Sequence, residues 1–453
     1  MATLIGLDLG TTTIAGVLWD SARRVVLRTA CRPNDAVLPC LPATRAEQDP
    51  VHILARALEV LGDLASYGPV DGIGLAGQMH GLLCVAASGE PLTPLISWQD
   101  RRTAEPLPGG GTLLEEIRGR TEGLPWQQNG CRVEHGYGMA TLYWLAHQGL
   151  LPARAARVGT LPGWLAARLT GQLPVSEPGL ACSWGCYQAV EQHWDRALLE
   201  RLALDERLLP PILAAGVPLG GLAPAAARQA GLPAGIPVHC PVGDQPAAFL
   251  ASVPDPVTCL YVNIGTGGQV AWALPGFLPA TPRAETRPLP AGGFGRVGAT
   301  LCGGAAYAWL NRVLRGCLAE FGVGVTEEQA YEKLNALAAA APSTDGLCVR
   351  TTFLGMRGDP AVQAGAIEGV TPGNLRLGTL ARATLLGMVD ELSELYSAHG
   401  GPAAGHRLLV AGGNAVQKNA LLPGLLAERF GLPVRVSPWS EPAAVGAAMS
   451  ILL

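Results

Sequence analysis

This chain is poor in charge, has no concentration of basic residues and lacks any long hydrophobic run, and each shortage removes a class of function. Only 15% of its 453 residues are charged, and the net charge is −4 with acids and bases interspersed. A nucleic-acid partner would require a basic stripe to meet its phosphates, so no nucleic acid is expected. Apolar stretches such as Leu408-Leu-Val-Ala411 fall far short of the roughly 20 residues that span a bilayer, so no membrane partner is expected either. The opening residues, Met-Ala-Thr-Leu-Ile-Gly, have neither the basic flank nor the apolar core of a secretory signal, and the expected location is cytoplasmic. The eleven cysteines show no paired spacing. Cys182 and Cys186 are the one close pair, and no His or Cys pair lies near to complete a zinc site, so reduced, mostly buried thiols are expected. The Walker phosphate loop G-x-x-x-x-G-K-[ST] is also missing, so any phosphate must be held another way.

What remains is ample core. Hydrophobic residues make up 49% of the chain, and 59 Gly and 37 Pro are spread along it, which favours many tight connections over a disordered tail. A chain this long divides naturally into two domains of about 200 residues each. Two similar units support that division. Leu4 to Trp19 is an apolar run, then Gly10-Thr-Thr-Thr13, then a second run. Cys259 to Ala273 repeats the plan around Gly265-Thr-Gly267. Aligned on these turns, Asp8 falls on Asn263, and both units read as β-hairpins. Duplication places the boundary near residue 240, giving domains 1–240 and 241–453.

Strands and helices alternate between and after the hairpins, which means α/β layers. Strands are predicted at Val70–Ala76, Ile236–Cys240, Phe294–Gly298, Arg407–Ala411 and Pro433–Val436. Helices are predicted at Thr141–His147, Leu161–Leu169, Trp194–Leu209, Ala305–Leu318, Leu375–Ser397, Lys418–Phe430 and Pro442–Leu452. Pro275 to Gly293, rich in Pro and Gly, reads as a surface loop.

Several short motifs carry chemistry. In Asp8-Leu-Gly-Thr-Thr12, Gly10 permits a tight turn whose N–H groups, with Thr11 and Thr12, can face a phosphate, while Asp8 stands where a carboxylate can bind Mg²⁺. Gly265, Thr266 and Gly267 would supply a second set of N–H groups on the other side of a triphosphate. Val242-Gly-Asp-Gln245 follows a strand near the domain boundary. A lone Gly-Asp is an ordinary turn, but at that place Asp244 could accept a proton from an attacking hydroxyl. Gln78, Met79 and His80 also follow a strand and suit a sugar, with polar groups for its hydroxyls and a thioether for its carbon face. Ser97-Trp-Gln-Asp-Arg-Arg102 offers Trp98 as core residue or sugar platform, and Asp100 as ligand or partner of a nearby Arg. Gly303, Gly412, Gly413 and Asn414 lie at turns where a nucleotide base or ribose could approach the backbone. The small-residue run Ala443 to Ala448 permits close helix packing.

The first turn resembles the first phosphate loop of the superfamily that joins actin, heat-shock chaperones and sugar kinases. Taken together, Asp8-Leu-Gly-Thr-Thr12, Gln78-Met-His-Gly81, Gly243-Asp244, Gly265-Thr-Gly267, Gly412-Gly413 and Ala443-Ala-Val-Gly-Ala447 resemble the FGGY carbohydrate kinases in order and rough spacing. The resemblance implies two ribonuclease-H-like α/β domains around a central cleft, with ATP as phosphoryl donor. It also implies Asp8 near Mg²⁺, Asp244 as general base, and Gln78, Met79, His80, Trp98, Asp100, Asp244 and Gln245 at the sugar. A homodimer is compatible with it. Trp98-Gln-Asp100, Gly138-Met-Ala-Thr-Leu-Tyr-Trp-Leu145 and Ala181-Cys-Ser-Trp-Gly185 are similar to sedoheptulokinase segments. Gln-Met-His-Gly is shared by xylulokinase-like and sedoheptulokinase-like members, whereas Gly265-Thr-Gly267 is closer to xylulokinases. Gly163 stands where Asp is frequent, and so does Glu177. The expected reaction is phosphorylation of a ketose at a primary hydroxyl, sedoheptulose first and xylulose or another polyol as alternative. An actin-like or chaperone-like ATPase with a protein partner is the rival of another class, and it leaves Gln78-Met-His80 without a task. A sugar-sensing regulator would be expected to carry a DNA-binding module before the first strand.

Overall fold

The computed structural model describes residues 2–356, 358–359, 362 and 364–453. Its framework is two mixed sheets of the same plan. The first is built from β1 (Thr3–Leu9), β2 (Thr13–Asp20), β3 (Val25–Pro33), β4 (Gly72–Gly77), β5 (Pro218–Gly221), β6 (Pro237–His239) and β7 (Val242–Gly243). Its order is β5-β6-β4-β1-β2-β3, with β7 also paired to β4. The second is built from β8 (Cys259–Ile264), β9 (Gly268–Leu274), β10 (Ala284–Pro288), β11 (Phe294–Thr300), β12 (Leu408–Gly412) and β13 (Val434–Val436). Its order is β10-β11-β9-β8-β12-β13.

The repeat read from two turns therefore extends to whole sheets. In each, an antiparallel hairpin (β1-β2, β8-β9) is extended by a third antiparallel strand on one side and by parallel strands on the other. Asp8 pairs with Ala76 across the parallel junction, and Asn263 pairs with Gly412 at the matching place. Strands buried on both faces read as continuous apolar runs, as Leu4, Ile5, Leu7 and Leu9 do here.

The helices that position the site are α1 (Pro50–Ala65), α2 (Gly138–His147), α3 (Leu161–Thr170), α4 (Pro178–Cys182), α5 (Arg196–Arg201) and α6 (Asp244–Ser252). With them are α7 (Gly304–Glu320), α8 (Leu377–Ala398), α9 (Asn414–Lys418), α10 (Leu422–Phe430) and α11 (Pro442–Ser450). Helix α1 buries Ile53, Ala57, Val60, Leu61 and Leu64 against Leu7, Leu9, Ile14 and Leu18 of the first sheet. Its start is fixed by Asp49, whose carboxylate accepts from the N–H groups of Val51 and His52, and by Pro50. Between β4 and β5 the chain builds a further core around Trp144, Trp184 and Trp194.

Helix α11 closes the molecule. Its small residues lie directly on backbone: a Cβ added to Gly6 would fall 1.9 Å from the Ala444 carbonyl oxygen, one on Gly74 2.0 Å from that of Ala447, and one on Gly446 1.9 Å from that of Ala247. The last helix thus sits between β1 and β4 of the first sheet and helix α6.

Three expectations are corrected. The helix predicted over Trp194–Leu209 is only α5, capped by Asp195 and broken where Ala203 takes a positive φ of 52°. The helix predicted over Lys418–Phe430 is interrupted because Asn419 turns inward, accepting from Leu421 N–H and donating to Asn335. Pro275–Gly293 is not simply a surface loop, since it contains the wholly buried strand β10. No helix among the described residues is long and apolar enough to cross a membrane.

Gly6→Ala should lower the unfolding free energy by about 1–3 kcal/mol or more, and with it the urea midpoint, because its methyl group has no space that backbone does not already fill. Gly276→Ala, where a Cβ meets nothing within 4 Å, is the control and should be nearly silent in the same urea titration.

Candidate active site

Three parallel strands end side by side. Leu9 of β1 pairs with Gly77 of β4, which pairs with Gly243 of β7. Their C-terminal ends therefore deliver Asp8, the Gln78-Met79-His80 turn and Asp244 to one neighbourhood, the usual place for a ligand in a parallel sheet. Burial first, then the charges of Asp244 and Glu441, hold the Asp8 carboxyl well above the usual carboxylate range. Asp8 Oδ1 is buried without a hydrogen-bond partner. Asp244 opens helix α6, and burial pushes its carboxyl up to about 6, against the opposing pull of the Gln245 N–H and the Arg287 charge. Glu441, at the start of α11, was not singled out from the sequence, yet the packing of α11 brings its charge to Asp8.

The turn Gly10–Thr12 is held through its carbonyls. Asn34 donates from Nδ2 to Gly10 O at 2.8 Å and from its backbone N–H to Thr12 O at 2.9 Å. Gln48 donates to Thr11 O at 3.1 Å and accepts from Gln78 Nε2 at 2.9 Å. Gln78 is thereby tied to the first turn, and its own Oε1 is buried without a partner. Neither Asn34 nor Gln48 belongs to a recognisable motif, so nothing local in the sequence marks them.

The second turn is held in the same manner by different donors. Gly265 O accepts from Gly304 N–H at 2.8 Å and Thr266 O from Ala305 N–H at 3.0 Å, both at the start of α7. Gly303 lies against Gly267, where a Cβ would be 2.3 Å from its carbonyl oxygen. Gly413 has φ +93°, and a Cβ there would meet Asn263 Oδ1 and Ile264 O at 2.5 Å, so both geometry and space require glycine. Gly265–Gly267, Gly303 and Gly412–Gly413 are thus assembled at the ends of β8 and β12, with Asn414 beginning α9.

The wall beside Asp244 contains Met79 and His80. His80 is 8% exposed and has a positive φ of 72°, uncommon for a non-glycine residue. It is held there by Ser183, whose Oγ accepts from the His80 N–H at 3.2 Å and whose carbonyl lies 2.7 Å from Nδ1. A carbonyl can only accept, so Nδ1 carries the proton and Nε2 offers its lone pair. His80 stacks on Tyr137, ring centroids 4.2 Å apart. Arg287 approaches from β10, with Nη2 3.4 Å from His80 Nε2 and Nη1 3.3 Å from Met79 Sδ. Glu285 pairs with Arg287 and accepts from the Tyr137 hydroxyl. In this wall, Tyr137, Glu285 and Arg287 are residues that sequence reasoning missed. Two of them lie inside the stretch read as a surface loop; the charged pair in an otherwise β-like Ala284–Pro288 was the available signal.

Other singled-out residues fall elsewhere. Trp98 is not core: it is 38% exposed and donates from Nε1 to Thr11 Oγ1 at 2.9 Å, beside the first turn. Asp100, expected at the sugar, is buried and occupied. It accepts from Ala46 N–H and makes three bonds with Arg102, from the backbone N–H, Nε and Nη2, so its carboxylate has no capacity left for a ligand. Gln245 is buried behind Asp244 and donates its N–H to that carboxylate. No cluster of three or more His, Cys, Asp or Glu side chains suited to a metal ion occurs among the described residues.

The arrangement has known counterparts. Residues 3–251 match the N-terminal domain profile of the FGGY family of carbohydrate kinases, and residues 260–451 match its C-terminal domain profile. A sedoheptulokinase from Mus musculus is 28% identical, with 99% of this chain and 97% of that protein aligned. The crystal structure of a xylulose kinase from Rhodospirillum rubrum superposes with a TM-score of 0.85 at 24% identity, covering 99% of this chain and 89% of that one. A Plasmodium falciparum glycerol kinase with ADP superposes with a TM-score of 0.82 at 17% identity, covering 99% and 89%. With both domain profiles matched nearly end to end, this chain belongs to the FGGY family of carbohydrate kinases and is a phosphotransferase with an alcohol group as acceptor.

Proposed function

We propose that this kinase transfers the γ-phosphoryl group of ATP to a primary hydroxyl of a ketose, with sedoheptulose, giving sedoheptulose 7-phosphate, as the leading acceptor. The observation that carries the reading is Asp244, a buried carboxyl pushed up to about 6, between the Met79–His80–Arg287 wall and Asp8. A base with that pKa is largely ionised at neutral pH and still holds a proton well enough to take one from an attacking hydroxyl. Gly10–Thr12 and Gly265–Gly267 are anchored by their carbonyls, which suits N–H groups turned to phosphate oxygens. Gly303, Gly412, Gly413 and Asn414 would border the nucleoside.

Mg²⁺ fits the residues present. Asp8 has an unpartnered buried oxygen and is crowded by two further carboxylates, and Mg²⁺ needs only one or two carboxylates beside phosphates and water. When bound it neutralises charge on the transferring phosphates. The protein's own residues do the remainder: Asp244 takes the proton, His80 and Met79 orient the acceptor, and closure of the cleft excludes water.

The seven-carbon acceptor is supported by Ser183, which belongs to the sedoheptulokinase-like stretch Ala181–Gly185 and holds His80 in place. The mouse sedoheptulokinase aligns over nearly its whole length. Xylulose is the second reading, favoured by the fold match to a xylulose kinase. We also propose that the chain divides near residue 240 and acts in the cytoplasm.

An ADP-release assay with sedoheptulose, xylulose and glycerol should give the highest kcat/KM on sedoheptulose. Faster turnover on xylulose would replace the substrate, and ATP turnover indifferent to all three would remove the ketose reading. Asp244→Asn should abolish transfer while leaving ATP binding near normal by calorimetry. Because the base must be ionised, kcat/KM of the parent should fall as pH is lowered through about 6.

Stability should move the other way. A carboxyl whose folded pKa exceeds its ordinary 3.8 costs folding energy once ionised, so that cost grows between pH 3.8 and about 6. Asp244→Asn should therefore melt above the parent at neutral pH, with the gap shrinking toward pH 3.8. An inactive variant that melts lower at neutral pH would argue against the buried-charge account.

A further inference from the structure

Strand β10 puts an arginine where the sequence promises only a loop. All five residues of Ala284–Pro288 are buried, with Arg287 5% exposed. The strand is fastened to the first half of the chain by backbone: Thr286 N–H donates to Gly130 O at 2.8 Å, and Ala280 N–H to Gln127 O at 3.0 Å. Gly130 has φ +76°, and a Cβ there would fall 2.2 Å from Thr286 O. The contact is close enough to fix where Arg287 projects.

The guanidinium is charge-balanced but not hydrogen-bond-satisfied. Glu285, itself bonded to the Tyr137 hydroxyl, supplies the counter-charge, so the pair as a whole is neutral and gives no reason to prefer an anionic acceptor. Of the guanidinium's donors, Nη1 faces Met79 Sδ, a weak acceptor. Nη2 serves Glu285 and a long contact to His80, and Nε is buried with no partner. A buried donor without an acceptor is costly, more so for a charged group. The two Nη groups lie beside Met79 and His80, close enough for the Arg287 charge to act on Asp244.

We propose that Arg287 is the specificity-determining residue of the acceptor site, donating hydrogen bonds to the carbonyl oxygen of a ketose and its neighbouring hydroxyl. The proposal deepens the ketose reading above and rests on it. A polyol lacking the carbonyl oxygen leaves the donors unmet, and sites built to bond a group reject analogues that lack it. Because Arg287 comes from the second sheet and Met79 and His80 from the first, the acceptor pocket is complete only when both halves are in contact.

The test compares the parent with Arg287→Lys and Glu285→Gln, using sedoheptulose, xylulose and glycerol, with kcat and KM measured separately for acceptor and ATP. In Arg287→Lys, kcat/KM for the better ketose should fall roughly 10- to 100-fold, mostly in KM, the loss expected for one hydrogen bond to a charged donor. Glycerol turnover and the KM for ATP should change less than about threefold on the same scale. Glu285→Gln keeps the arginine but frees its orientation, so it should show the same selective loss to a smaller degree. It also stands in as the deciding variant should Arg287→Lys fail to fold. Equal losses on ketose and glycerol, a parallel rise in the KM for ATP, or no loss in either variant would overturn the role of Arg287. A parent that prefers glycerol over both ketoses would instead overturn the ketose reading, a separate outcome visible before any variant is made.

Discussion

The backbone-to-backbone seating of helix α11 is the constraint on which the site depends. Gly6 and Gly74 leave room for the carbonyls of Ala444 and Ala447, and Gly446 does the same for that of Ala247. Contacts this close permit no side chain, so they behave as rigid joints between β1, β4 and α6. Asp8 leaves β1, Asp244 opens α6 and Glu441 begins α11. Fixing those three elements fixes a buried Asp8, whose carboxyl pKa is raised first by that burial and then by the charges of Asp244 and Glu441. The ordinary tendency of like charges to separate is overcome by packing that has no slack.

Around that centre the two halves solve one problem with different parts. Each holds a glycine turn by its carbonyls. In the first half the donors are the side chains of Asn34 and Gln48; in the second they are the first N–H groups of helix α7. A duplicated backbone plan can therefore diverge completely in the residues that stiffen it. The Met79–His80 wall has no such counterpart and is a joint product, with Ser183 holding His80 in a left-handed conformation and β10 bringing Glu285 and Arg287 to it.

Elements whose signal is local are legible in the order of residues alone. The two hairpins, the apolar parallel strands and the α/β class follow from short runs and turns that need no distant partner. Asp8, Gly10, Gly265 and Gly413 stand out because a turn or a close approach admits few residue types. Local signals were also where errors arose. Asn419 reads as an ordinary helix residue until its side chain turns inward toward Asn335. Asp100 reads equally as a ligand or as the partner of a nearby Arg, and in the fold Arg102 and Ala46 occupy both its oxygens.

What lies opposite each residue follows from the folded chain and from nothing local. Glu441 meets Asp8 because α11 returns across the first sheet, more than four hundred residues along the chain. Arg287 meets Met79 and His80 because a strand within a Pro- and Gly-rich stretch is fastened to the Gln127–Gly130 segment of the other half. These contacts join residues far apart in sequence, and their identities are set by burial and charge balance in the folded state. Composition and periodicity record which face of an element is apolar. They carry no record of which distant charge will be buried against it.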